Sequence, residues 1–336
     1  MNFSDKERIL RLRKTFDLNY RVTNLYSRYL SNCPELITKE AVDILMKEAE
    51  LDRLDAVAVL LSEIFGLDID RDPKEYDDRK IILDYVYPSI RFPDKSVYTN
   101  DPYYKKIAPK TPIRDGAWEF RWEAYRPYRA AIGDDMIIKE SFTEIPPLAF
   151  FDTEFAFPAV LEDGNEWMTL TPVDVDTSQA AIEKARGKVV TFGLGLGYFT
   201  YRASEKEEVE SITVIEKSDA VIRLFEKHIL PKFEHKEKVR IINADAFEYA
   251  KETMPDQGYD YAFVDTWRDA SDGLPMYEKM KALEHLSPST KFDYWIENFI
   301  ISRKRALRFE ELWEKVESGS PDMPTTYDEF IKRLKE

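Results

Sequence analysis

Apolar side chains recur at helical spacing through roughly the first ninety residues. They alternate with polar ones between residues 135 and 172, and from about residue 174 they fall into short apolar runs separated by helical stretches. The clearest helix is 51–65 (LDRLDAVAVLLSEIF), where Leu54, Val57, Leu61, Ile64 and Phe65 share the face that a 3.6-residue period turns toward a core. Weaker helical periodicity covers 4–16 and 37–49. Asp72-Pro73 and Phe92-Pro93 mark breaks, because proline disfavours helix at the residue before it. Residues 93–134 read as irregular and aromatic. Strand patterning covers 136–145, 148–158 and 167–170, and Glu162-Asp163-Gly164-Asn165 supplies hairpin-turn chemistry. The pattern divides the chain into a mostly helical cap or substrate region (1–134), a small β segment (135–173) and an alternating strand–helix domain (174–336), with no internal repeat.

Composition narrows the function classes. The chain has 336 residues, 43% of them hydrophobic, enough for a sizeable core. Its 64 acids against 49 bases give a net charge of -15, which argues against nucleic acid as a partner. A single cysteine, Cys33, allows neither an internal disulfide nor a thiolate metal site, and fits a reducing cytosol. The start MNFSDKERIL has no apolar stretch of signal-peptide type, and no run of about 18 apolar residues occurs, so a cytoplasmic protein with no membrane partner is expected. With only His228, His235 and His285 available, a histidine-based mechanism is not expected. A homo-oligomer stays open.

The densest chemical signal is KVVTFGLGLGYFTY at 188–201. An apolar strand runs into Gly193, Gly195 and Gly197, where a backbone can turn sharply and approach a ligand without a Cβ in the way, and a helix should follow. The spacing is GxGxG; Tyr198 stands where a dinucleotide fingerprint would carry its last glycine. Glu216 follows nineteen residues after Gly197 at the tip of the next strand, within reach of a ribose diol. A third strand, Val239–Asn243, leads into Asp245 and Ala246, with Asp245 placed to accept from an adenine amino group. A fourth, Tyr261–Val264, ends at Asp265, and a fifth is expected at 292–297. Gly, Glu, Asp and Asp at four strand ends describe the crevice where open α/β sheets bind ligands.

The residues VVTFGLGLGYF, VIEKSDAV, NADAFEY and YDYAFVDTW carry a family resemblance. The segment from about 176 to 300 is similar to class I S-adenosylmethionine (SAM)-dependent methyltransferases, and within them looks like the spermidine-synthase-like branch. The resemblance implies an α/β, Rossmann-like doubly wound sheet after an N-terminal helical region and a small β segment. It also implies a transferase with SAM as cofactor: the loop Gly193, Gly195 and Gly197 cradling the methionine moiety, Glu216 on the ribose, and Asp245, Ala246 and Asp265 completing the site. Helical patterns at 301–318 and 326–334 replace the antiparallel strand pair that usually closes this fold. Asp265-Thr266-Trp267-Arg268-Asp269 replaces the acidic pair usual after strand four of spermidine synthases.

Methyl transfer to a small-molecule acceptor is the expected activity, with Asp265, Asp269 and Tyr277 as candidates to orient the acceptor or take its proton. Three alternatives remain. One is aminopropyl transfer from decarboxylated SAM. Another is a non-catalytic SAM-binding protein. The third is implied by a similarity of FVDTWR and IENFI to the metal-ligand segments of catechol O-methyltransferases: a Mg²⁺-assisted O-methyltransferase with Asp265, Glu297 and Asn298 as oxygen ligands. Trp118, Phe120, Trp122, Tyr125 and Tyr128, interleaved with Arg114, Arg121, Arg126 and Arg129, are expected to pack rather than to bind. Asp101-Pro102-Tyr103-Tyr104 resembles an amino-methyltransferase loop, but it lies upstream of the sheet and is set aside as coincidence.

Overall fold

The computed structural model describes residues 3–336, which form two compact units that each gather separate stretches of chain. One unit runs to Phe92 and adds Pro127–Asp152 and Asn298–Glu336; the other joins Pro93–Arg126 to Thr153–Glu297. These units differ from divisions at 134/135 and 173/174. Such boundaries assume contiguous segments, whereas long-range pairing joins segments distant in sequence.

The first unit is mainly helical. Phe3–Asn32, Lys39–Glu48 and Arg53–Ile64 are helices, the latter two capped by Thr38 and Asp52 side chains that accept from Ala41 N and Asp55 N. Val57 and Leu61 are fully buried, and Leu54, Ile64 and Phe65 pack against the same cluster, as the 3.6-residue pattern predicts. A second cluster joins Ile9, Leu12 and Phe16 of the first helix to Phe309, Leu312, Phe330 and Leu334 of Glu297–Ser318 and Tyr327–Lys335. Phe16 stacks on Phe309 with ring centroids 4.1 Å apart. Where a long strand is expected at 136–145, only Ile137–Ile138 and Glu144–Ile145 pair. Buried Glu144 accepts instead from Ser302 Oγ at 2.6 Å and Arg305 at 3.1 Å. A buried carboxylate needs such partners.

The second unit holds two sheets. Five parallel strands lie in the spatial order Val239–Asn243, Val209–Glu216, Gly187–Phe192, Tyr261–Val264, Lys291–Tyr294. In chain order within this sheet that is 3-2-1-4-5, a Rossmann-like arrangement. The first strand is central and buried on both faces, which explains its unbroken apolar run VVTF. The chain leaves it on one side toward strands two and three and on the other toward strands four and five, and a crevice lies at the carboxyl ends of strands one and four.

The other sheet is antiparallel, in the order Ile113–Asp115, Trp118–Tyr125, Phe155–Glu162, Asn165–Thr169. Its last hairpin turns at Asp163 and Gly164, both at positive φ (50° and 80°), as the Asp-Gly pair predicts. Trp118–Tyr125 (WEFRWEAY) corrects the reading of 93–134 as irregular; it pairs along its whole length with Phe155–Glu162. A strand expected to stop at Pro158 runs through it. Leu170 N donates to Pro158 O at 2.9 Å, and Leu170 O, which proline cannot satisfy in return, accepts from the Tyr104 hydroxyl at 2.5 Å.

Candidate functional site

The glycine loop leaves the first strand at Phe192 and ends at Gly197, which precedes the helix Tyr198–Ser204. Gly193 has φ 95°, and a Cβ there would strike the backbone carbonyl of Asp265 on the neighbouring strand. Gly195 has φ 51°, and the space its Cβ would take is filled by the thioether of Met168, from the antiparallel hairpin. The loop is therefore glycine-rich first because neighbouring protein closes on it.

Glu216, at the tip of the second strand, is buried. Its Oε2 accepts from Leu194 N at 3.1 Å and its Oε1 from Ser218 N at 2.7 Å, so it clamps the loop. Asp245 caps the helix Ala246–Glu252, its Oδ1 accepting from Phe247 N at 2.9 Å and Glu248 N at 3.2 Å. Ala246 opens that helix.

A cleft of about 400 Å³, its open mouth included, lies against the glycine loop within this unit. Among its walls are Gly193, Leu194, Tyr198, Asp174, Asp265 and Trp295, and no lysine, arginine or histidine lines it. The Asp265 carboxylate has no hydrogen-bonding partner among the described residues. Burial pushes its pKa up to about 8, helped by the negative charges of Asp174 and Glu216. Asp174 is pushed up to about 6 by burial, against the pull of the Thr171 N–H and hydroxyl that both donate to its Oδ2.

The other proposed catalytic residues sit differently. Asp269 is exposed and caps the helix Ala270–Lys281, accepting from Ser271 N at 2.6 Å. Tyr277 is buried, and its hydroxyl donates to Glu297 Oε1 at 2.7 Å. Lys281 lies 3.4 Å from the same oxygen. Asn298 donates its side-chain amide to Met136 O at 3.0 Å. Glu297 is thus held by Tyr277 and Lys281, and Asn298 by Met136. No cluster of three His, Cys, Asp or Glu side chains suited to a metal occurs among the described residues.

The aromatic segment packs, as expected. Phe120 is fully buried, Trp118 meets Trp167 edge-on at 5.2 Å, and Trp122 Nε1 donates to Pro109 O at 2.7 Å. Three features of the cleft escape a reading of the sequence. Asp174 looks like an ordinary third-position acid in the capping box of Pro172–Lys184, Met168 like a strand residue, and Asp101-Pro102-Tyr103-Tyr104 like a coincidence. In the fold the Tyr103 hydroxyl donates to Leu196 O in the glycine loop, and Asp101 Oδ2 accepts from the Tyr198 hydroxyl at 3.0 Å. Their proximity to the loop depends on pairing between segments ninety residues apart, which no local pattern records.

No family model and no curated protein matches this chain. Among solved structures it is similar to the spermidine synthase from Thermotoga maritima, at 12% identity and a TM-score of 0.32, over 59% of this chain and 61% of that one. The chain thus spans about three-fifths of that structure, and at this score the likeness says nothing about its chemistry. No helix among the described residues is long and apolar enough to cross a membrane.

Proposed function

We propose that this protein is a transferase that uses a SAM-type sulfonium nucleoside and acts on a small cationic acceptor, an amine. One observation carries the reading: the crevice at the strand ends, walled by the glycine loop, presents two carboxylates and no basic side chain. A low-dielectric cleft with uncompensated carboxylates favours sulfonium and ammonium groups. Glu216 and Asp245, at the tips of strands two and three, suit the ribose and adenine.

The sulfonium supplies an activated carbon for in-line displacement. The protein's part is to align an amine with it and to remove the amine's proton. Asp265 suits the second task, since a carboxyl poised near pH 8 exchanges a proton with an ammonium at little cost. Asp174 holds positive charge beside it.

Methyl transfer from SAM is the first form of this reading. Aminopropyl transfer from decarboxylated SAM is the second, and the lack of any cation in the cleft favours it, because SAM brings a carboxylate that decarboxylated SAM lacks. Calorimetric titration with SAM, S-adenosylhomocysteine and decarboxylated SAM tests both. Tighter binding of SAM supports methyl transfer, and preference for decarboxylated SAM supports aminopropyl transfer. Binding without turnover on any amine leaves a SAM-binding protein, and no binding removes the proposal.

A further inference from the structure

Resting on the nucleoside-site reading above, we propose that Tyr103 is a positioning residue that locks the Leu196–Gly197 peptide and thereby shapes the nucleoside site. The Pro93–Arg126 stretch delivers it across more than ninety residues of sequence to the glycine loop. Tyr103 is fully buried, and its hydroxyl donates to Leu196 O. On the other side of the same peptide, Gly197 N donates to Leu194 O at 2.8 Å. Leu194 N in turn donates to Glu216 at 3.1 Å. The loop is therefore tied at three consecutive points, two of them on one peptide plane.

That peptide joins Leu196 to Gly197, a residue type that resists rotation least. Without the hydroxyl, a buried carbonyl loses its donor and the plane gains freedom to turn toward another one. Asp101 steadies Tyr103: its Oδ1 accepts from Tyr103 N at 2.7 Å, while its Oδ2 holds Tyr198, a cleft wall. The upstream stretch thus holds the loop's conformation, and with it the shape of the cleft wall that Leu194, Leu196 and Tyr198 form.

The test compares Tyr103→Phe with Tyr98→Phe. Each removes one hydroxyl from the same stretch, but the Tyr98 hydroxyl donates to Asp176 at 2.6 Å and not to the glycine loop. Two readouts are taken: amide hydrogen exchange at Gly197 and Tyr198 in ligand-free protein, and affinity for SAM, S-adenosylhomocysteine and decarboxylated SAM. Tyr103→Phe is expected to speed exchange at those amides about tenfold and to weaken nucleoside binding about tenfold, with Tyr98→Phe within about twofold of the parent on both. A purely structural hydroxyl makes the two variants alike in affinity, which overturns the proposal. Unchanged exchange in Tyr103→Phe overturns it as well. If the parent protein binds none of the nucleosides, the nucleoside reading fails, while exchange still decides whether Tyr103 locks the loop.

Discussion

Asp265 shows how one side chain links stability to ligand affinity. Its carboxyl titrates near pH 8 in the fold and near its ordinary 3.8 when unfolded. A raised folded-state pKa contributes stability that is complete below the unfolded value and is lost as pH rises through the folded one. Between pH 4 and 8 the protein should therefore lose stability that Asp265→Asn does not lose, with the variant's melting temperature gaining about 5 °C on the parent across that window. A cationic ligand prefers the ionised carboxyl, so affinity should rise as pH is raised toward 8 in the parent and stay flatter in Asp265→Asn; calorimetry across that range checks both. Gly195 makes a different point. Substitution there meets a positive φ and the Met168 thioether before it meets any ligand, so Gly195→Val should cost about 2–4 kcal/mol in urea unfolding. Loss of binding in that variant would then not be a clean test of the loop. Met168→Ala should restore part of the stability of Gly195→Ala, a coupling that a double-mutant cycle measures.

At the scale of elements, helix starts follow closely on strand ends. Asp245 stands two residues past the end of strand three and caps Ala246–Glu252. Asp245→Asn keeps the capping oxygen and should unfold at nearly the parent temperature, whereas Asp245→Ala should lose about 1 kcal/mol. If adenine also depends on this side chain, both variants bind nucleoside more weakly; an unchanged affinity in Asp245→Asn would limit the residue to capping. Asp269 and Tyr277 belong to the Ala270–Lys281 helix in the same sense, one as its cap and the other as its tie to Glu297. Their positions explain their place in the sequence without requiring a part in chemistry.

The whole molecule carries a net charge of -15, and two of its acids, Asp174 and Asp265, wall the cleft with no basic residue beside them. Attraction of a cation into such a field is screened by salt. Raising NaCl from about 20 to about 500 mM should weaken binding of decarboxylated SAM severalfold, while S-adenosylhomocysteine, which carries no net charge, should change little. Equal salt dependence for the two nucleosides in a parallel titration would count against recognition by charge.

The chain's local chemistry determined the parallel strands, the helix periodicity of 51–65, the Asp163-Gly164 hairpin and the glycine loop with Glu216 and Asp245 at successive strand ends. Each of these is written within a window of a few residues, where apolar period, positive-φ residues and capping acids act directly on the backbone. Tertiary structure alone decided the rest. It wove two compact units from interleaved segments, paired Trp118–Tyr125 with Phe155–Glu162, and filled the space above Gly195 with Met168. It also set Asp174 and Asp265 in one cleft and placed the Tyr103 hydroxyl on Leu196. These contacts join residues far apart along the chain, and their energy comes from burial and hydrogen bonding in the assembled fold, so no local pattern encodes them.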